Sequence, residues 1–275
     1  MKDTAKRKRI IKWIIIWVLL CIFGVYCYFE NTIIEVNNIS ISDEKIPDSF
    51  DGYKIVQISD LHNKRFGKNQ NKLISKVKSS KPDVIVVTGD LVDSTDTDID
   101  VAMEFIDEAV EIAPVYYVTG NHEEMMDDYD ELEKSLVNVG VEVLSNEKIS
   151  LENNGEMLNL VGLNDGSISQ SMLDTMRIDK DKYTILLAHR PEEFDLYVKN
   201  DIDLVFTGHA HGGQFVIPFV GGVVAPNQGL FPKYTSGVYK KKDTNMVVSR
   251  GIGNSVIPIR INNNPEIIVV TLKSE

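Results

Sequence analysis

The 275-residue chain is acidic, with a formal net charge of −12, and its composition of 43% apolar and 25% charged residues is typical of a globular protein. This length is enough for one large domain or two small ones. Because six basic residues fall within the first 29 positions, the rest of the chain is still more acidic and lacks the basic surface that general nucleic-acid binding needs, so nucleic acid is not an expected partner.

The N-terminus predicts a membrane anchor. Residues 1–9 form a basic segment, and the apolar stretch 10–29, with Lys12 near its edge, would make a helix of about 30 Å. The stretch is longer than the apolar part of a signal peptide and no A-x-A-like cleavage site follows it. An uncleaved transmembrane helix is therefore favoured over a cleaved signal peptide and over a buried helix. The basic flank predicts a single-pass protein with a cytoplasmic N-terminus in the cell membrane.

The chain after the anchor first alternates strands and helices. A lead-in segment, 30–52, contains an alternating stretch at 31–42 that is typical of a half-buried strand. The main domain, 53–275, then begins with strands predicted at 53–60, 82–90 and 114–121 and helices predicted at 69–80, 98–112 and 129–138. The nearly continuous β-branched run at 82–90 suits a strand covered on both faces.

The second half of the domain is richer in strands. From Val141 the pattern changes to strand pairs, and Asn-Asn-Gly at 153–155 predicts a hairpin. Strands at 183–189 and 201–209 flank a helical segment at 191–200, and the remainder is typical of strands and loops. The predicted fold is an α/β domain in which two mixed sheets pack together and are covered by helices, a four-layer α-β-β-α sandwich.

Polar side chains follow five of the predicted strands, and all five histidines of the chain are among them. The residues are Asp60, His62, Asp90, Asn121, His122, His189, His209 and His211. Because ligands collect at the carboxyl ends of strands in α/β sheets, we expect these residues to meet at one site. Cys21 and Cys27 both lie in the anchor, so the donors are carboxylates, an amide oxygen and imidazoles. This set suits divalent Mn, Fe, Zn or Co.

The spacing of these residues supports a metal site. In an extended segment, residues i and i+2 point to the same side, so Asp60 and His62 could reach one ion, and His209 and His211 could reach neighbouring ions. The glycines before Asp90, Asn121 and His209 would permit a tight turn and close approach of the backbone. A single histidine at a strand end is more often structural, but five strand ends together predict a functional site.

In this order, the motifs D-x-H, G-D, G-N-H-E, a separate H, and G-H-x-H resemble the signature of the calcineurin-like metallophosphoesterases. The resemblance runs from about Tyr53 to the C-terminus. Within that superfamily, GHAHGGQ, APNQGLFPKYTSG and RINNNPEI are similar to the bacterial membrane-associated branch of YkuE- and YaeI-type phosphoesterases. The family fold, a β-sandwich flanked by helices, agrees with the fold predicted above.

The resemblance implies a role for each matched residue. It implies that the first metal is held by Asp60, His62 and His211, the second by Asn121, His189 and His209, and that Asp90 bridges the two. Two such ions would clamp a phosphoryl group and lower the pKa of a bridging water, and the resulting hydroxide would attack phosphorus. The remaining histidine, His122, would face the substrate and assist the leaving group.

The sequence also departs from some relatives near Asp90. Ser94 stands where many relatives have arginine, which leaves phosphate contacts from that side in doubt. Purple acid phosphatases have a tyrosine ligand where this chain has Asp93, so a tyrosinate–ferric centre is not expected. Glu123 has two interpretations, a partner that supports the site or an exposed acid in the first turn of a helix.

Two classes of function remain open. The first is a metal-dependent phosphoesterase on the extracytoplasmic face, acting on phosphodiesters or pyrophosphates more than on phosphomonoesters. The second is a catalytically inactive, surface-displayed binding or scaffold protein. The apolar loop 215–234 follows the last predicted ligands. It would either meet the membrane and admit a lipid-linked phosphoester, or fill the core beside the second sheet.

Overall fold

The chain consists of one long N-terminal helix followed by two β-sheets and several shorter helices, as described by a computed structural model for residues 2–254 and 258–275. Met1 of the predicted basic segment and residues 255–257 of the predicted main domain lie outside the described residues. The first helix, α1 (Lys2–Thr32), is longer than the predicted stretch 10–29. Its portion Lys6–Thr32 is long and apolar enough to cross a membrane.

The first half of the domain alternates strands and helices, as predicted. Its elements are β1 (Glu35–Asp43), β2 (Lys54–Ile58), α2 (Asn71–Ser80), β3 (Val84–Thr88), α3 (Ile99–Ala109), β4 (Val115–Val118), α4 (Asn121–Glu124), α5 (Tyr129–Asn138) and β5 (Glu142–Val143). The side chain of Asp98 accepts a hydrogen bond from the Val101 N–H and so caps α3.

The second half contains more strands and two short helices. Its elements are β6 (Glu147–Asn153), β7 (Glu156–Gly162), α6 (Gln170–Thr175), β8 (Thr184–Leu187), α7 (Phe194–Lys199), β9 (Leu204–Thr207), β10 (Val216–Ile217), β11 (Gly221–Gly222), β12 (Val224–Ala225), β13 (Gly229–Leu230), β14 (Gly237–Lys241), β15 (Thr244–Val248) and β16 (Glu266–Ser274). The predicted hairpin forms between β6 and β7, with Asn154 at φ 48° and Gly155 at φ 86° in its turn.

The strands form two six-stranded mixed sheets. The first has the order β1-β16-β2-β3-β4-β5, and the second has the order β14-β15-β9-β8-β7-β6. In the first sheet β16 runs parallel to β1 and antiparallel to β2, whereas β2 to β5 are parallel. Two features of this sheet were not predicted from the sequence. The lead-in strand β1 is an edge of this sheet, and β5, which was expected among the strand pairs of the second half, lies at its other edge.

Burial explains why several strands are apolar on both faces. In β3, Val84 and Val86 face the core between the two sheets, whereas Ile85 and Val87 pack against the helices α2, α3 and α5. A third apolar cluster lies between the second sheet and the helices α6 and α7. The layers are therefore α-β-β-α, which confirms the predicted sandwich.

Polar contacts join the carboxyl ends of the two sheets. The Gln57 side-chain N–H donates to the Thr207 carbonyl at 2.9 Å and to Thr88 Oγ1 at 2.8 Å. His189 Nδ1 lies 2.7 Å from the Thr88 carbonyl oxygen, so this contact also spans from the second sheet to the first. These contacts bring the strand ends that carry the candidate site into one place.

Candidate metal centre

The polar residues predicted from the sequence lie just beyond the carboxyl ends of five strands. β2, β3 and β4 of the first sheet lead to Asp60, Asp90 and Asn121, and β8 and β9 of the second sheet lead to His189 and His209. Both aspartates and both histidines of this set lie two residues after a strand ends. Parallel strands end at the same edge of a sheet, so this repeated offset places these four side chains at one site.

The backbone at the site is not extended, contrary to the expectation from the D-x-H and H-x-H spacing. Five site residues have a φ between 46° and 65°, namely Asp60, His62, Asp90, His209 and His211. The pairs Asp60–His62 and His209–His211 are thus brought to the site by left-handed turns rather than by strand alternation. Such conformations cost about 1–3 kcal/mol each in residues with a side chain, so the surrounding fold must hold them.

The first group of possible ligands consists of two carboxylates and two imidazoles. The four residues are Asp60, His62, Asp90 and His211; all are buried, and one ligand atom from each lies within 4.8 Å of the others. His211 Nε2 lies 3.3 Å from Asp60 Oδ1, and His62 Nε2 lies 3.5 Å from Asp90 Oδ2. These distances would let a single cation sit among the four side chains.

The second group also includes Asp90. It contains Asp90, His189 and His209, with ligand atoms again within 4.8 Å of one another. His189 Nε2 lies 3.1 Å from Asp90 Oδ2 and 3.2 Å from His209 Nδ1. Asp90 is therefore shared by the two groups, and its Oδ2 atom faces an imidazole nitrogen of each.

Several buried polar atoms at the site have no hydrogen-bond partner within the described part of the chain. They are Nδ1 and Nε2 of His62, Oδ1 of Asn121 and Nδ1 of His211. An unpaired buried polar atom costs about 1–3 kcal/mol, so such a concentration of them needs a physical reason. A bound cation would supply it, because amide oxygen, carboxylate and imidazole are all ligands for divalent Mn, Fe, Zn and Co. The residues present fit two such ions.

The electrostatics of the site keep most of the imidazoles neutral. Burial lowers the pKa of His62 to about 4, and burial together with His189 lowers that of His209 to about 2. Burial also lowers the pKa of His189, but Asp90 and Asp60 outweigh it and raise the value to about 10. For Asp60, burial raises the pKa to about 6. A cation would therefore displace protons mainly from His189 and Asp60.

His122 lies at the edge of the site and is partly exposed. Its ring centroid is 4.5 Å from that of His62, and its Nδ1 accepts a hydrogen bond from the Ser94 N–H at 3.1 Å. Because Nδ1 acts as an acceptor, the neutral ring carries its proton on Nε2. Asp93 Oδ1 lies 3.7 Å from the same Nδ1 atom. The arrangement suits a ring that donates a hydrogen bond from Nε2.

Glu123 supports the site and is not an exposed acid, so the second interpretation of this residue is wrong. Its side chain is buried and accepts hydrogen bonds at 2.7–3.2 Å from four backbone N–H groups, those of Asp90, Leu91, Val92 and Gly120. Burial and Asp90 raise the pKa of Glu123 to about 7. The signal in the sequence was its position as the third residue of α4, where a glutamate can close a capping box.

Three further polar side chains contact the histidines and were missed from the sequence. Glu192 Oε1 lies 3.8 Å and Asn227 Nδ2 lies 3.4 Å from His209 Nε2. Asn263 Nδ2 donates to the His211 carbonyl at 2.7 Å. Contacts of this kind fix the orientation of a ligand residue. Asn227 and Asn263 belong to the motifs APNQG and RINNNPEI, which could have indicated them.

Comparison with known proteins agrees with this geometry. Residues 53–213 match the family described as calcineurin-like phosphoesterases. The chain is 32% identical over 262 residues to the metallophosphoesterase YkuE of Bacillus subtilis (strain 168), covering 92% of this chain and 90% of that protein. It is 28% identical to a transmembrane protein with a metallophosphoesterase domain from Danio rerio, covering 94% of this chain and 62% of that protein.

A solved structure has a fold similar to that of this chain. TT1561 of Thermus thermophilus has a TM-score of 0.51 and 13% sequence identity, covering 73% of this chain and 90% of that chain. The family match spans more than half of the chain, and the alignment with YkuE spans nearly its whole length. The chain therefore belongs to the calcineurin-like phosphoesterase family, in the YkuE-type branch, and is of the metal-dependent phosphoesterase type.

Proposed function

We propose that this protein is a membrane-anchored phosphohydrolase with two divalent ions that acts on phosphodiesters or pyrophosphates more readily than on phosphomonoesters. The observation that carries the proposal is the position of Asp90, which is shared by two buried groups of possible ligands. The Oδ2 atom of Asp90 faces both groups, so this negatively charged oxygen could serve two cations and reduce their mutual repulsion. Ordinary structural histidines would have no need of such a shared carboxylate.

Each residue of the cluster has a role in this proposal. The first ion would be held by Asp60, His62 and His211, the second by Asn121, His189 and His209, and Asp90 would serve both. When bound, such ions neutralise charge on the phosphoryl group and activate water for in-line attack. The orphaned Oδ1 atom of Asn121 supports its place among the ligands.

His122 is proposed as the group that assists departure of the leaving oxygen. The His122 backbone N–H donates to Asp90 Oδ1 at 2.9 Å, which ties the residue to the shared carboxylate. With Nδ1 held as an acceptor by the Ser94 N–H, the Nε2–H can donate a hydrogen bond that stabilises negative charge on the leaving oxygen. Ser94 is uncharged and offers no positive charge to the second negative charge of a phosphomonoester, which favours diesters.

The anchor is proposed to span the cell membrane once. Most of the described apolar side chains of α1 are exposed, which supports burial in lipid rather than in the domain. The basic residues before the apolar stretch favour a cytoplasmic N-terminus. The domain that carries the cluster of proposed metal ligands would then lie on the extracytoplasmic face.

The test combines metal analysis with hydrolysis of bis-p-nitrophenyl phosphate. We expect the wild type to bind two ions, and Asp90→Asn to lose metal and at least about 10²-fold in kcat, because the shared ligand is weakened. Asp107→Asn, at an exposed position of α3, is the matched control and should leave both unchanged. Two bound ions without turnover of any diester, pyrophosphate or monoester would instead support the inactive binding or scaffold protein.

A further inference from the structure

The end of α1 is hydrogen-bonded to a loop that also supports the cluster of proposed metal ligands. The Tyr26 hydroxyl accepts from the Asn262 N–H at 3.0 Å, and Glu30 Oε2 accepts from the Asn263 N–H at 2.9 Å. The side chain of Asn263 in turn donates to the carbonyl of His211. Because one residue links the helix to a proposed ligand, the cluster lies on the side of the domain where α1 enters.

Two apolar loop tips are attached to the same loop. The hairpin of β10 and β11 begins at Val216, whose N–H donates to the Ile261 carbonyl at 2.9 Å and whose carbonyl accepts from Asn262 Nδ2 at 3.1 Å. At the tip of this hairpin Phe219 is fully exposed and Val220 is 62% exposed.

A second exposed pair lies at the end of β13, in the same segment. Leu230 is 72% and Phe231 is 62% exposed, and the Phe231 N–H donates to the Val223 carbonyl at 2.8 Å. The expectation that loop 215–234 fills the core is therefore wrong for these tips, although Ala225 and Tyr234 are buried. We call the four residues Phe219, Val220, Leu230 and Phe231 the loop surface.

The segment that carries the loop surface also contacts the cluster of proposed metal ligands. The Val223 N–H donates to the Gly213 carbonyl at 3.0 Å, two residues after His211. Asn227, at the turn between β12 and β13, contacts both Glu192 and His209. A molecule that touches the loop surface with an apolar chain could thus place a polar head at the cluster.

We propose that the loop surface rests in the bilayer that α1 crosses, and that the site takes an amphiphilic phosphoester whose apolar chain stays in that bilayer. This inference rests on the proposed membrane anchor and hydrolytic site. Aromatic and aliphatic side chains beside a transmembrane helix are typical of an interfacial contact, and exposed apolar groups of this size are otherwise rare on a soluble surface. The exposed Lys233 beside them suits anionic head groups.

Fluorescence quenching tests the bilayer contact without any need for catalysis. The full chain, carrying Trp13→Phe and Trp17→Phe to remove its two tryptophans, is reconstituted in phosphatidylcholine and phosphatidylglycerol vesicles with brominated acyl chains. We expect the tryptophan introduced by Phe219→Trp to be strongly quenched. Val137→Trp is the control, since Val137 is exposed in the last turn of α5, at the end of the strands opposite the cluster. Equal quenching of the two would overturn the contact.

A pair of matched substrates tests the substrate class. Ethyl and hexadecyl p-nitrophenyl phosphate share a leaving group and differ only in the chain. We expect the double variant Phe219→Ser and Phe231→Ser to lose about tenfold in kcat/KM on the hexadecyl ester in vesicles and nothing on the ethyl ester, whereas Val137→Ser changes neither. Equal rates on both esters, or an equal loss on both, would refute the amphiphilic substrate. Quenching with no hydrolysis of either ester would refute the proposed hydrolytic function and leave the bilayer contact standing.

Discussion

His122 differs from the other site histidines because its Nδ1 accepts from a backbone N–H, so its Nε2–H can donate a hydrogen bond to a leaving oxygen. We expect His122→Ala to lower kcat about 10²–10³-fold on a diester of aliphatic alcohols, because negative charge on the leaving alkoxide loses this hydrogen bond. The loss on bis-p-nitrophenyl phosphate should be much smaller, because p-nitrophenolate delocalises its charge and needs less stabilisation. Steady-state kinetics on both esters is the measurement. Ser94→Ala, which keeps the backbone donor, should stay within a few-fold of wild type, and an equal loss on both esters for His122→Ala would contradict the role.

Glu123 gives a second prediction for a single side chain. In Glu123→Gln the carboxamide NH₂ group cannot accept from the backbone N–H groups that Glu123 binds. We expect the free energy of unfolding to fall by about 2–4 kcal/mol, measured by chemical denaturation in detergent. Glu131→Gln, at an exposed position of α5, should change it by less than about 0.5 kcal/mol. Similar effects of the two substitutions would show that the Glu123 contacts contribute little.

The residues with proposed chemical roles could be predicted from the sequence because their motifs are local. Asp60, Asp90 and His189 each follow an apolar run that is readily predicted as a strand. The residues that contact and orient the proposed ligands could not be predicted from the sequence in the same way. Asn263 lies 52 positions from His211, and only the folded chain brings the two together. The left-handed φ values of the proposed ligands were also missed. Aspartate and histidine adopt such values far less often than glycine does, so these residues do not predict them.

The turns after the strands are the elements on which the site depends, and two glycines allow them to be tested. Gly89 follows β3 and Gly155 lies in the hairpin of β6 and β7, and both have a φ of 86°. A methyl group at Gly89 would lie 2.5 Å from the Gly120 nitrogen, whereas one at Gly155 would meet no atom of the described residues within 4 Å. The two positions therefore share the same backbone strain and differ in the room available.

We expect Gly155→Ala to cost about 1 kcal/mol of stability and to leave metal content and turnover unchanged. Gly89→Ala should cost several kcal/mol more and should reduce the bound metal, because the turn that carries Asp90 must move. Denaturation curves and metal analysis of both variants make the comparison. If Gly89→Ala behaved like Gly155→Ala, the packing of this turn against Gly120 would not matter for the site.

Sequence patterns predicted the elements of the first half well, and α5 has the predicted bounds 129–138. Their pairing was harder to predict. The edge strand β1 pairs with β16, more than 200 residues away, and such long-range pairing leaves no local signal. The four two-residue strands β10 to β13 are too short for a periodic pattern, so this segment could only be described as an apolar loop.

At the scale of the whole molecule, the cluster connects the two sheets. Asp60 and Asp90 follow strands of the first sheet, and His189 and His209 follow strands of the second. A cation held by both sets would stabilise the folded chain by the free energy of binding, about 4 kcal/mol when its concentration is 1,000 times the dissociation constant. Metal binding and the packing of the two sheets are therefore expected to be coupled, and binding must also compete with protons.

The pKa shifts determine whether the affinity for metal rises or falls with pH. The raised pKa of His189, about 10, leaves its imidazole protonated at pH 8, so an ion must displace that proton, and the affinity rises with pH. The pKa of Asp60 is raised to about 6, so its carboxylate is mostly protonated below pH 6. An ion must then displace this second proton as well. We expect calorimetry of Mn²⁺ binding in buffers of different ionisation enthalpy to show about one proton released at pH 8 and closer to two at pH 5.5. His189→Asn should release fewer protons at pH 8, and binding without proton release at that pH would contradict the charge assigned to His189.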